Sequence, residues 1–132
     1  MKINVTNINT VNFDITYIHD YIFKEMKFDY TKKNIYIIIS KNNDTKTDRI
    51  IKFNNVIGFN MISCDFWGQS PHILDWEFTD KDNTIINKLF DEKNNHDYQD
   101  SRLTSIEDYI ESIITFTSGN RLTIACEDII VD

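Results

Sequence analysis

The chain alternates. From Asn34 to Ser40 it reads Asn-Ile-Tyr-Ile-Ile-Ile-Ser, with Ile35, Ile37 and Ile39 on one face and Tyr36, Ile38 and Ser40 on the other. A period of two at this density of β-branched residues favours a strand strongly over a helix, because successive side chains of an extended chain point to opposite faces. The run from Tyr21 to Tyr30 places Ile22, Met26, Phe28 and Tyr30 on one face, interrupted by Lys24, with Glu25, Lys27 and Asp29 opposite. Thr31-Lys32-Lys33-Asn34 then joins the two runs as a hairpin turn. A second hairpin pairs Ile114 to Thr117 with Arg121 to Ile124 around Ser118-Gly119-Asn120, where Gly119 can adopt the positive φ of a tight turn. Arg49 to Phe53 and Val56 to Ser63 form a further pair turning at Asn54-Asn55, and Lys41 to Thr47 is a polar connection. Leu74 to Phe78 is a core strand with Leu74, Trp76 and Phe78 inward and Asp75 and Glu77 outward. With a first strand near Ile3 to Thr6, about eight strands result. They predict an all-β domain over residues 1–132, an antiparallel sandwich or open barrel.

Two regions depart from the alternation. Ile106, Tyr109, Ile110, Ile113 and Ile114 have helical spacing, and Ser105 with Asp108 resembles a capping box, so a short helix fits there. A strand is preferred from about Ile110, because the hairpin beyond it needs a long partner. Thr84 to Phe90 is compatible with a helical turn or a short strand, and Asp91 to Ser101 with a polar loop.

Bulk properties exclude several functions. Fourteen basic residues against twenty-one acidic ones leave a net charge of −7, and the basic residues are scattered. Nucleic-acid binding needs a clustered Lys/Arg patch that releases counterions, so it is not expected, and an anionic membrane surface is disfavoured for the same reason. No stretch approaches the ~20 apolar residues of a membrane helix, and the start lacks a signal-peptide pattern. The expected setting is the cytoplasm, with Cys64 and Cys126 as reduced thiols.

The rarest residues gather between Cys64 and Glu77: both tryptophans, the only proline, and one each of two cysteines, three glycines and three histidines. This segment carries the candidate binding residues Asp65, Phe66, Trp67, His72, Asp75 and Glu77. Phe66 and Trp67 are hard to bury together, and an exposed tryptophan is a good interface anchor. The same segment lacks what other chemistries require. Structural zinc uses paired cysteines, and none exist here. Ser70-Pro71-His72 is not embedded in a nucleophile elbow, and three glycines cannot build a phosphate loop. No cofactor, metal or catalytic residue is expected.

His19-Asp20, the Tyr21 to Tyr30 strand, its turn and Ile35 to Ile39 together resemble a pattern in small bacterial β-domain proteins, some of them immunity proteins of polymorphic toxin systems. The resemblance spans residues 19–39. It implies a small acidic cytosolic protein that neutralises one protein partner by binding it, and it transfers no functional residues. An acidic surface would suit a basic partner through electrostatic steering. The alternative is a β-domain that binds a small molecule or carbohydrate, with Trp67 or Trp76 against a ligand ring.

Overall fold

The computed structural model describes residues 1–9, 18–41, 44–62, 72–79, 84–96 and 101–132. Their order is β1 (Lys2–Asn4), β2 (Ile22–Asp29), β3 (Asn34–Lys41), β4 (Asp44–Asn54), β5 (Gly58–Ile62), β6 (Ile73–Thr79), α1 (Thr84–His96), a 3-10 turn (Ile106–Asp108), β7 (Ile110–Phe116), β8 (Arg121–Cys126) and β9 (Asp128–Val131). The strands form two antiparallel sheets, β1-β9-β4-β3-β2 and β5-β8-β7-β6. Between them lies one apolar core: Ile35, Ile37, Ile39, Ile51, Phe53 and Ile129 from the larger sheet meet Trp76, Ile114, Phe116, Leu122 and Ile124 from the smaller. The mainly β fold expected from alternation is the observed one.

The hairpins expected at Thr31–Asn34 and Ser118–Asn120 are both present. In the first, Lys33 takes a φ of 56° and the Lys32 amide donates to Asp29 Oδ1 at 3.0 Å. In the second, Gly119 sits at φ 90°, and the Phe116 and Gly119 amides donate to the Asn120 and Phe116 carbonyls, both at 2.9 Å. A glycine at the end of a three-residue loop relieves the steric cost of that φ. The Ser105–Asp108 capping box is also formed, and the chain is extended again from Ile110.

Two bulges overturn the simple inward–outward assignments. In β6 the pairing with β7 slips by one residue between Ile73 and Asp75, so Ile73 and Trp76 both enter the core and Leu74 turns out, 48% exposed. In β2 the same slip falls between Phe23 and Glu25, and Phe23 and Met26 pack against the core instead of a strict alternating set. One extra residue per strand resets the phase of every side chain before it. The polar connection assigned to Lys41–Thr47 is shorter than expected, since β4 begins at Asp44 and the Thr47 hydroxyl donates to the Asp44 carbonyl at 2.6 Å.

Asn54-Asn55 is a corner, not a hairpin turn. β4 pairs with β9 and β5 with β8, so one antiparallel ribbon bends from the larger sheet into the smaller. Asn54 lies opposite Asp128 and Gly58 opposite Ala125, leaving one more residue on the β4–β5 side, with Asn55 at φ 48°. Strands that change sheets through a bulge are the usual corners of such sandwiches. The backbone groups of the bend are paired: Glu127 N–H with Asn54 C=O at 3.1 Å, Val56 N–H with Lys33 C=O at 2.7 Å, and Ile57 N–H with Ala125 C=O at 2.9 Å. The ninth strand, β9, was not anticipated, because Glu127 interrupts the alternation between it and β8. On the opposite side the sheets meet again, through an Ile22–His72 bridge and the Asp20 amide donating to Ile73 C=O at 2.9 Å.

Helix α1 reaches His96, replacing the polar loop expected from Asp91 onward as far as that residue. It covers the outer face of the smaller sheet with Ile86 and Phe90 against Tyr109 and Ala125. Its approach depends on Gly58, where an added Cβ would stand 2.8 Å from Ile85 Cγ2 and 3.1 Å from Leu89 Cδ1. Gly58→Val is therefore expected to cost about 1–3 kcal/mol by overpacking. Urea denaturation of the variant measures it, and unchanged stability would mean that the helix yields freely.

Candidate functional site

An open surface feature of the described residues lies along β5. This strand is an edge of the smaller sheet, paired with β8 alone among the described residues. An edge strand carries unpaired backbone donors and acceptors along one side. Apolar residues crowd the same place. Phe59 is 39% exposed and Met61 36% exposed, and the end of β2 brings Phe28, with Tyr30 just beyond it, alongside. The Phe28 ring meets Phe59 edge-on at 5.1 Å and Tyr30 at 6.1 Å. Residues with this much exposed aromatic surface have no core to complete. They sit where the end of β2 meets β5.

Two hollows flank Phe59. One, of about 520 Å³, lies between β5 and α1, with Gly58 and Asn60 on one wall and Ile85, Lys88 and Leu89 on the other. The second, of about 310 Å³, lies toward the corner, between Phe28, Lys33, Phe59 and Arg102. Gly58 and Phe59 line both, so they form one groove interrupted by the Phe59 ring. Gly58 keeps the floor low, for the same reason that it admits the helix.

The groove is locally basic in an acidic chain. Lys33 Nζ stands 3.3 Å above the Tyr30 ring, a cation–π contact. Arg102 donates to the Asn55 side-chain oxygen and to the Val56 carbonyl, and Asn55 in turn donates to Glu127 Oε2 at 2.9 Å. Lys88 projects from α1, where it is exposed. None of the three has a carboxylate within ion-pair distance among the described residues. Among the described residues, the one carboxylate lining either hollow is Glu92, on the helix.

The candidate residues taken from sequence divide differently. Asp65, Phe66 and Trp67 lie outside the described residues. His72 is half-buried at the seam between the sheets, its carbonyl accepting from the Thr117 amide at 2.9 Å. Asp75 is half-buried and Glu77 exposed on the outer face of β6, the opposite edge of the smaller sheet from β5. Two strands separate those edges, so the acids stand roughly 14 Å from β5 at ordinary strand spacing. They do not join the groove. Trp76 is buried and donates to Ser112 Oγ at 2.5 Å, so it offers no ring to a ligand.

The other reactive side chains lie apart from the groove. Cys126 is fully buried, and burial, together with the Asp128 and Glu127 charges, pushes its thiol well above the usual range. It therefore stays a neutral core side chain. His19 Nδ1 lies 3.1 Å from Asp20 Oδ2 in the turn before β2, and Asp20 takes a φ of 68° there. Among the described residues no three of His, Cys, Asp and Glu converge as metal ligands would, and no helix is long and apolar enough to cross a membrane.

No family model matches the chain, and no curated protein matches it. The groove is thus defined by its own geometry. The missed residues, Phe28, Tyr30 and Phe59, had one signal in the sequence: apolar alternation in β2 runs on to the hairpin tip beside Lys32-Lys33, where a core strand would have turned polar.

Proposed function

We propose that the chain is a non-enzymatic protein-binding domain of the cytoplasm, immunity-like in role, which neutralises one protein partner by occupying it. The observation that carries this reading is the exposed Phe28–Tyr30–Phe59 cluster beside a sheet edge that is unpaired among the described residues. Exposed aromatics in a groove are the typical anchors of protein interfaces, and an open edge adds directional hydrogen bonds. Phe59 stands at the centre of this surface among the described residues, whereas Asp65, Phe66 and Trp67 lie outside them. Asp75, Glu77 and His72 are left outside the surface.

The adjacent reading frame supplies the test. Its product, purified and titrated calorimetrically into this chain, is expected to form a one-to-one complex. Phe59→Ala should weaken that complex by at least tenfold, the range of a modest hot spot. A complex of unchanged affinity would remove the groove from the interface.

A second reading, small-molecule or carbohydrate binding, draws on the groove volume, which is within the range of ligand sites. One strand and one helix wall it, however, whereas such sites usually enclose most of their ligand. A sugar and metabolite panel that raises the melting temperature would favour that reading over protein binding.

A further inference from the structure

We infer that the groove seats an extended, acidic segment of the partner, which adds to the smaller sheet as a strand beside β5. The inference rests on the protein-binding reading and specifies its occupant. Three observations support it. Among the described residues β5 has a free edge five residues long, Gly58 to Ile62, enough for several backbone hydrogen bonds to an incoming strand. That edge lies in a trough with α1 on one side and Phe28 and Phe59 on the other, so alternate side chains of an added strand would face the helix wall and the aromatic wall. The trough also carries Lys33, Lys88 and Arg102, with Glu92 the single opposing carboxylate among the described residues.

Charge selects among possible occupants. A lysine-rich strand would meet three like charges, and an acidic one would find three cations that have no carboxylate partner among the described residues. A second copy of this edge is disfavoured, because pairing β5 with β5 would bring two sets of those cations onto one seam. A partner that is basic overall, as the net charge of −7 favours, can still present an acidic strand at this place. An alternation of acidic and apolar residues satisfies both walls: carboxylates toward the cations, apolar groups toward Phe59 or toward Ile85 and Leu89.

The probes are three synthetic ten-residue peptides: one alternating glutamate and valine, one alternating lysine and valine, and the glutamate peptide with two central prolines. Each is titrated into the intact chain, with amide hydrogen exchange and backbone NMR shifts followed at 58–62. The glutamate peptide should bind, slow exchange at those amides and weaken as salt is raised. The other two peptides should bind at least tenfold more weakly. Lys33→Glu with Lys88→Glu should weaken the glutamate peptide at least tenfold, and it leaves the Arg102 bonds at the corner intact; a melting curve checks that the variant folds. Equal binding of the glutamate and lysine peptides, or binding without protection at 58–62, would overturn the strand-addition inference. The protein-binding reading fails separately, when the adjacent-frame product forms no complex with the chain.

Discussion

Replacing Trp76 with alanine is expected to lower the unfolding free energy by about 3–5 kcal/mol, the range for deleting a large core aromatic. Trp76 is 4% exposed, packs on Phe78 at a centroid distance of 4.8 Å, and places its indole N–H on Ser112 Oγ inside the core. Alanine would leave a cavity between the sheets and remove the donor to the serine. Since total stabilities are about 5–15 kcal/mol, this loss is a large share of what holds the domain together. Trp76→Phe separates the two contributions: it keeps much of the apolar volume and loses only the hydrogen bond, costing about 1–2 kcal/mol more than a purely apolar swap. Urea denaturation followed by circular dichroism gives both numbers. An alanine variant within 1 kcal/mol of the parent would show that the core does not depend on this ring.

Glu111 carries the second large effect. It is 1% exposed on the outer face of β7, a burial that carboxylates rarely tolerate without a dedicated partner. Its partner is the start of α1: the Ile86 amide donates to Oε1 at 2.7 Å and the Thr84 hydroxyl to Oε2 at 3.3 Å. The first turn of a helix has unpaired amides and a partial positive charge, and one carboxylate answers both. Glu111→Ala leaves the Ile86 amide buried without an acceptor, a cost of about 1–3 kcal/mol, and removes a helix-terminal interaction worth up to ~2 kcal/mol. A total near 3 kcal/mol is expected, concentrated in the helix, so amides of α1 should exchange faster than those of β3. Glu111→Gln keeps an acceptor and should cost less than half as much. Equal losses in the two variants would mean that the charge, and not the bond, secures the helix.

Local rules made β3, both hairpins and the Ser105 capping box legible, because each depends on residues within a few positions of one another. What escaped depends on partners far along the chain. A bulge at Leu74 cannot be read from Ile73 to Thr79, since its extra residue exists only relative to β7. Asn54-Asn55 has suitable chemistry for reversing a chain, and Asn55 does adopt a left-handed φ. Whether such a pair reverses or merely bends depends on what lies opposite, and here it is the β8–β9 ribbon. The groove was hidden for a related reason. Phe28 and Phe59 belong to apolar alternation like any core residue, and their exposure depends on how β2 and β5 come together across the fold. Helix α1 escaped in part because its apolar residues, Ile85, Ile86, Leu89 and Phe90, fit a short turn as well as a long one, while its last turns are wholly polar.

The position of β9 bears on how the protein is made. Within the five-stranded sheet it is inserted between β1 and β4, and the Met1 amino group donates to the Val131 carbonyl at 2.7 Å. On a ribosome, β2, β3 and β4 emerge as a self-contained meander, but β1 has nothing to dock on until the chain has been extended past β8. Until then β4 presents bare the edge that β9 later covers, Ile51 to Asn54. Pairings between the two ends of a chain are slow to form, and unpaired edges are where nascent chains associate wrongly. Solubility during synthesis should thus respond more to the translation rate across residues 121–131 than to that across any earlier strand.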